Sequence, residues 1–448
     1  MRILIGAAGT GGDLDPFITL GQGLQARGHE VIIISGAAYR ERVELAGLAF
    51  HAAALDAANA KVAEYLDEDT IVAKKMLLNV ADRMVNLVFA PFFDAVGVLA
   101  NDNTLLIYGS LLQFVGASAS EKFNLPAIFV NLAPIGFLSA LRPPRVSADD
   151  ALNKIPALIL KTRLLPHLIS LFVIGPYTKP LNQWRAKYGL APIRFYQYNN
   201  WSRAFDVPDK RRMLCLFPAW FAKPIHAWSV NRLPEDLPLN SIETAGFMLH
   251  SQASHQTLTP EIKLFLEKYP RPVLFTFGTG MIWDGMKNFF QVSVEACQKL
   301  NLPAILLSKN SQDFPDNLPA HVLCLNFIAL ETLLPQVCLI VHHVGIGTLA
   351  QAMVAKVPQL AVPFRYDQFD NATRLCNLGV GDELLPTDYT VENLVNKIAA
   401  GLKDAEAHPE KYAHLAELTQ QSGGAHAVEK ACDFIEKFYR EYKLKTIV

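Results

Sequence analysis

Short, fully apolar runs recur along this chain, each closed by glycine, serine, asparagine or proline and followed by a longer stretch with helical spacing. In the first half they are Ile3 to Ile5, Val31 to Ile34, Leu105 to Tyr108 and Ala127 to Val130; in the second, Val273 to Phe277, Ala304 to Leu307, Leu339 to Val341 and Leu360 to Val362. A strand that is apolar at every residue has both faces in a core, and a helix between successive strands is what a parallel crossover requires. The pattern predicts a doubly wound α/β architecture with parallel sheets, built twice. At 448 residues, 51% of them hydrophobic, the chain exceeds what one core serves, so two domains of roughly 200 residues are expected.

Two polar, proline-bearing stretches, Asn231 to Asn240 and His250 to Pro260, mark the region of the boundary, near residues 245 to 265. We read 1–245 as the first domain and 246–424 as the second. In the tail, 425–448, Ala427, Ala431, Phe434, Ile435 and Phe438 fall on one helical face, which needs a partner; docking on the first domain is expected. Lys plus Arg number 41 and Asp plus Glu 42, so no net field would recruit nucleic acid. The cysteines, Cys215, Cys297, Cys324, Cys338, Cys376 and Cys432, form no CxxC pair and read as reduced thiols of a cytoplasmic protein. The start, MRILIGAAGTGG, reads as a core strand rather than a secretory signal. No window supplies the about 20 uncharged apolar residues that span a bilayer. The nearest, Ile155 to Pro176, is interrupted by Lys161, Arg163, Pro166 and His167; it reads either as a buried helical hairpin or as a lid that touches lipid or a greasy substrate.

Two glycine-rich turns follow predicted strands: GAAGTGGDLDP, residues 6 to 16, and HHVGIGT, residues 342 to 348. Open parallel sheets bind ligands at such turns, where glycine admits close approach and the next helix aims its N-terminus at an anion. Neither turn has the spacing of a nicotinamide fingerprint or a P-loop. If the second holds a diphosphate, Gly345 and Gly347 bring backbone N–H groups to it, Thr348 adds a hydroxyl, His343 adds a ring N–H, and the helix dipole offsets charge without a metal. The plain alternative is a strand–helix connection with a satisfied histidine. One strand later, Asp367 and Gln368 offer acceptors and an amide suited to neighbouring sugar hydroxyls.

The stretch HHVGIGTLAQAMVAKVPQLAVPFRYDQFDNATRLCNLGVG resembles the donor-binding signature of the family 1 glycosyltransferases, inverting and metal-independent enzymes of the GT-B fold with two facing Rossmann-like domains. The segments IYGSLLQFVGASASEKFNLP, PLNQWRAKYGL, CLFPAWFAKP and ETAGFML resemble a narrower group, the rhamnosyltransferases of rhamnolipid biosynthesis. The resemblance implies that His343 contacts the donor α-phosphate, with the amides from Gly345 to Thr348 completing the diphosphate site and Asp367 and Gln368 holding the sugar. It implies that Gly278 and Thr279 approach the phosphates and that Phe327 and Ile328 lie on the nucleobase loop. Ala329 stands where a proline is usual, leaving thymine and uracil both open, and Val344 replaces a frequent glycine.

An inverting transfer needs a base for the acceptor hydroxyl. The family often has a histidine just after the first strand; here GTGGDLDP resembles the antibiotic and lipid glycosyltransferases that carry aspartate, which falls on Asp13. Asp13 is expected to be the general base, with Gly11 and Gly12 admitting the acceptor; its alternative is a helix cap. Asp15, just before Pro16, is expected to be the N-cap instead. Asp13-Leu14-Asp15 spells a metal-binding DxD, discounted because the His343 turn already supplies neutralisation. Trp220 and Phe221 are either core or walls of an acceptor pocket. The resulting expectation is a cytoplasmic hexosyltransferase that uses no cofactor beyond a dTDP- or UDP-hexose co-substrate. It would move rhamnose to a lipophilic hydroxyl acceptor, with peripheral contact at the inner face of the membrane as an option. The rivals are a UDP-glucose enzyme acting on sterols, carotenoids or small aromatics, a nucleotide-sugar epimerase of the same shape, and a binding protein without chemistry. Nothing in the sequence sets the oligomeric state.

Overall fold

The structure is a computed structural model that describes residues 1–53, 85–136, 144–149, 175–193, 210–222, 242–249, 258–278 and 286–447. The chain divides into two compact units: Met1–Pro144, Asn153–Met248 and Ala425–Val448 form one, and Arg145–Leu152 with Leu249–Gly424 the other.

The first unit is built on seven strands: β1 (Arg2–Gly6), β2 (Glu30–Ser35), β3 (Ala49–Ala52), β4 (Thr104–Tyr108), β5 (Ala127–Asn131), β6 (Arg211–Cys215) and β7 (Ile242–Thr244). They pair in the order β3-β2-β1-β4-β5-β6-β7, parallel throughout, with Ile3 level with both Val31 and Leu105. In the second unit, β8 (Val273–Thr276), β9 (Ala304–Leu307), β10 (Val322–Leu325), β11 (Leu339–His342), β12 (Gln359–Ala361) and β13 (Gly381–Glu383) pair in the order β10-β9-β8-β11-β12-β13, again parallel. All eight apolar runs named from the sequence are strands here. Those that the pattern did not announce are β3, β6, β7, β10 and β13. Most of these lie toward sheet edges, where one face meets solvent and residues such as those of Gly381–Glu383 are tolerated.

The helices used below are α1 (Gly11–Ala26), α2 (Ala90–Leu99), α3 (Gln113–Lys122), α4 (Gly175–Lys187), α5 (Met286–Leu300), α6 (Ile346–Val354), α7 (Gln368–Asn377), α8 (Val391–Ala407) and α9 (Gly424–Ile447). On α9, Ala427, Ala431, Cys432, Ile435 and Phe438 join the core formed by β1, β2 and α1. Gly23 of α1 lets the two helices meet: a Cβ there would lie 2.3 Å from Val428 Cγ1. Arg27 to Asp433 at 2.6 Å and His29 to Glu436 at 2.9 Å close the rim of this contact. In the second unit, Phe275, Phe277, Phe289 and Phe290 lead a core shared with α5 and α8.

The segment PLNQWRAKYGL proves to be a packing device. Arg185 on α4 is buried and spends its guanidinium on Ser118 Oγ at 2.7 Å, Glu121 Oε2 at 2.8 Å and the Ala191 carbonyl at 2.9 Å, while Trp184 sits edge-on to Phe93. A buried guanidinium is tolerable because each of its three nitrogens meets an acceptor. Among the described residues no helix is long and apolar enough to cross a membrane, and all six cysteines are unpaired. The polar stretch 231–240, most of 250–260 and the apolar window 155–174 lie outside the described residues.

Candidate functional site

Each sheet reverses its strand order once, between β1 and β4 in the first unit and between β8 and β11 in the second. Crevices at the carboxyl ends of strands open at such points. The two glycine turns leave β1 and β11, so both emerge at a reversal.

In the second unit, β8 and β11 are neighbours with Thr276 level with His342. Gly278, just past β8, therefore lies beside His343, just past β11. A Cβ on Gly278 would come within 2.6 Å of His343 Cε1, and one on Gly345 within 2.6 Å of His343 Nε2, so the imidazole is sandwiched between two glycines. Gly278 also has φ +70, which glycine adopts without strain. His343 Nδ1 is buried with no partner among the described residues, and burial pushes the ring down to about 4, so it is neutral. His342, by contrast, is a core residue. Its Nε2 meets Gln359 Oε1 at 3.0 Å, and burial followed by the neighbouring His343 ring pushes it down to about 3.

Helix α6 starts from Gly345, with no side chain capping it and no acidic residue in its first turn. The first N–H groups of a helix have no partner within it. Those of Ile346, Gly347 and Thr348 thus form a donor cluster beside a histidine, with Gly347 exposed. The arrangement can bind a phosphate or carboxylate.

The next connection, after β12, holds Asp367 and Gln368 at the start of α7. Gln368 is buried and uses its side-chain oxygen to accept the N–H groups of Phe364 at 2.8 Å and Arg365 at 3.1 Å, which folds the loop into a tight turn; its amide nitrogen donates to no described residue. The Asp367 carboxylate accepts from Asn371 Nδ2 at 2.7 Å, and the same nitrogen donates to the Val344 carbonyl at 3.1 Å. Asn371, completely buried, was missed in the sequence, although DQFDN places it one helical turn beyond Asp367.

In the first unit the turn after β1 is organised differently. Asp13 is the third residue of α1. Its Oδ2 accepts both the Thr10 N–H at 2.7 Å and the Thr10 hydroxyl at 3.0 Å. Gly9, at φ +129, makes room: a Cβ there would lie 2.3 Å from Asp13 Oδ2. The Tyr39 hydroxyl donates to the Gly9 carbonyl at 3.0 Å and holds that backbone. Desolvation raises the Asp13 carboxyl above its ordinary value, and the two bonds from Thr10 only partly offset it. Among the described residues Oδ1 accepts no hydrogen bond. Gly11 is buried and Gly12 exposed.

One expectation is corrected here. Asp15 does not cap α1: the helix begins at Gly11 with Thr10 as N-cap, and Asp15 pairs with Arg42 at 2.7 Å. Pro16 lies inside the helix rather than at its first position. The T-x-x-D spacing of Thr10 and Asp13 was the overlooked signal for this start. Asp13 and Asp15 of the DxD engage different partners, Thr10 and Arg42.

Phe327 is 53% exposed just beyond β10, while Ile328 packs against the core below. Phe221 is buried in a cluster with Trp220 and Phe247, and Trp220 remains half-buried. Thr279 lies outside the described residues.

A family model for the C-terminal domain of erythromycin biosynthesis protein CIII-like proteins matches residues 300–430, and one for the glycosyltransferase family 28 N-terminal domain matches residues 3–102. The O-mycaminosyltylonolide 6-deoxyallosyltransferase of Streptomyces fradiae is 25% identical over 448 residues, spanning 98% of this chain and 97% of that protein. A sterol 3-beta-glucosyltransferase of Arabidopsis thaliana is 24% identical and spans 97% of this chain and 67% of its own. The solved structure of the spinosyn rhamnosyltransferase SpnG complexed with thymidine diphosphate shares the fold, with a TM-score of 0.62 at 16% identity over 97% of this chain and 100% of that one. The chain is a glycosyltransferase of the GT-B type, an enzyme of the hexosyltransferase class. The erythromycin-type match covers β11, α6 and α7 of this glycosyltransferase, and the family 28 match covers β1 and α1.

Proposed function

We propose that this glycosyltransferase moves a hexose, rhamnose from a dTDP carrier, to the hydroxyl of a lipophilic acceptor such as a hydroxy-fatty-acid lipid, with inversion and without a metal. The observation that supports this reading most is the start of α6, a glycine-capped and uncharged helix end with the neutral His343 ring held between Gly278 and Gly345. A departing diphosphate gains N–H donors, the positive end of a dipole and an imidazole N–H there. Asp367 and Gln368 hold the sugar, and Phe327 offers its exposed ring to the nucleobase.

In the reaction the acceptor oxygen attacks the anomeric carbon, the bond from that carbon to the diphosphate oxygen breaks, and its electron pair leaves with the nucleoside diphosphate. The hydroxyl proton passes to Asp13. Oδ1 is the oxygen for it, because Oδ2 is held by Thr10. The raised carboxyl pKa brings Asp13 closer to the range in which a base works well. A lipophilic acceptor would draw the enzyme to the inner face of the membrane as a peripheral protein, and sedimentation with acceptor-loaded vesicles checks this.

The deciding experiment is product mass with a panel of nucleotide sugars. Turnover with UDP-glucose and a sterol, and none with dTDP-rhamnose, would replace the rhamnosyl reading; the resemblance to a sterol glucosyltransferase favours that second reading. Nucleoside diphosphate release without any added acceptor would point to epimerase chemistry instead.

A further inference from the structure

We propose that Asn371 is a positioning residue that ties the phosphate turn to the sugar turn, setting the Gly345 amide and the Asp367 carboxylate in register. This rests on the donor-site reading given above. Asn371 is 0% exposed, and its Nδ2 donates to the Val344 carbonyl at 3.1 Å and to Asp367 Oδ2 at 2.7 Å. Both neighbours are acceptors, so only the NH2 end can face them, and both of its hydrogens are used.

The Val344 carbonyl belongs to the same peptide unit as the Gly345 N–H. No cis peptide occurs among the described residues, and in a planar trans unit the two groups point in opposite directions. Holding the carbonyl against Asn371 therefore aims the Gly345 N–H away from it. The peptide needs such a restraint, because Val344 is β-branched and sits at φ +57. Tyr366, immediately before Asp367, is also left-handed at φ +57. Two unfavourable backbone states thus lie at or next to the two groups that one side-chain nitrogen holds. Strain of this kind persists where the surroundings over-determine it and gathers at ligand sites. Asn371 Oδ1 is buried with no partner among the described residues, a cost that a filler side chain would avoid.

The test compares a nucleoside diphosphate with the matching nucleotide sugar. Titration calorimetry on the full chain gives affinities for dTDP and dTDP-rhamnose, and for UDP and UDP-glucose; the ratio within the pair that binds is the increment due to the sugar. In Asn371→Ala this increment is expected to fall at least tenfold, beyond any loss in diphosphate affinity. In Asp367→Ala combined with Asn371→Ala, the increment should fall no further than in Asp367→Ala alone. A purely structural role would weaken both ligands alike and leave the increment intact, which overturns the proposal. If Asn371→Ala does not fold, Asn371→Asp is the readout: its carboxylate keeps the shape but meets two acceptors, and an undiminished increment there overturns the proposal equally. A wild-type protein that binds none of the four ligands would instead sink the donor-site reading itself, so the two failures are distinguishable.

Discussion

The turns after β1 and β11 share a plan, a core strand running through glycines into a helix at a reversal of strand order, and differ in how the helix start is satisfied. In α1 the chain supplies its own anion, since Asp13 lies in the first turn and bonds to Thr10. In α6 the first turn carries no acidic residue and the cap is glycine. A helix end that already holds a carboxylate repels a second anion, whereas an unfilled one attracts it. Similar backbone therefore yields a helix start already filled by a carboxylate in one unit and one open to an anion in the other, the difference on which the proposed base and diphosphate sites rest.

The largest expected effect tests the first turn. Asn at position 13 can accept the same bonds from Thr10 but cannot take a proton, so Asp13→Asn should lower turnover by about 10² to 10⁴ while nucleoside diphosphate affinity barely changes. Steady-state rates with near-normal turnover would remove Asp13 from the base role. Since its carboxyl must be ionised to act and is raised in the fold, the acid limb of the rate profile should lie above the usual carboxylate range.

Next comes an exchange of character. Thr348 is the third residue of α6, the position Asp13 occupies in α1. Thr348→Asp should fill that helix start from within and weaken nucleoside diphosphate binding about tenfold or more, with an unchanged or higher Tm. Unaltered affinity by calorimetry would mean that the anion binds elsewhere.

The two turns should also answer acid in opposite ways. The folded-state values of His342 and His343, about 3 and about 4, lie below an unfolded value near 6.5, so the unfolded chain binds more protons between them. Stability from the neutral rings is present above that unfolded value and is lost as pH falls, by about 2 kcal/mol for each ring at pH 5. Asp13 has the reverse sign: its raised carboxyl makes the folded chain the better proton binder, which relatively favours folding as pH falls. Urea unfolding of wild type and His342→Asn at pH 7 and pH 5 checks this, and a variant slope equal to that of wild type would contradict it. The smallest effect concerns Phe327, whose truncation to alanine should weaken nucleotide binding about threefold to tenfold, the value of a single aromatic contact.

Much of this was legible in the linear sequence. Runs such as Ile3 to Ile5 and Leu339 to Val341 are apolar at every residue because both faces are covered, and they announce the parallel sheets. Strands such as Gly381–Glu383 were silent, because an edge position does not demand apolar residues. Arg145 was silent too. It pairs with Glu383 at 2.5 Å and lies over Phe369, so a segment from the first half of the chain belongs to the second unit. The start of α1 was misread because Asp15-Pro16 mimics a cap, while the actual cap, Thr10, lies five residues upstream of Asp15 among glycines. Asn371 escaped notice because an asparagine one turn into a helix looks like surface until its depth is known.

The order of residues alone determined the strand–helix alternation, the two glycine turns and the chemical types gathered at each, since these depend on neighbours within a turn or two. Only the tertiary structure decided that Gly278 and Gly345 enclose His343, that Asp13 and Asp15 part ways, and that one buried amide joins Val344 to Asp367. Those relations depend on which strands become neighbours and how deeply a side chain is buried, and hydrogen bonds and desolvation are set by that packing rather than by spacing along the chain.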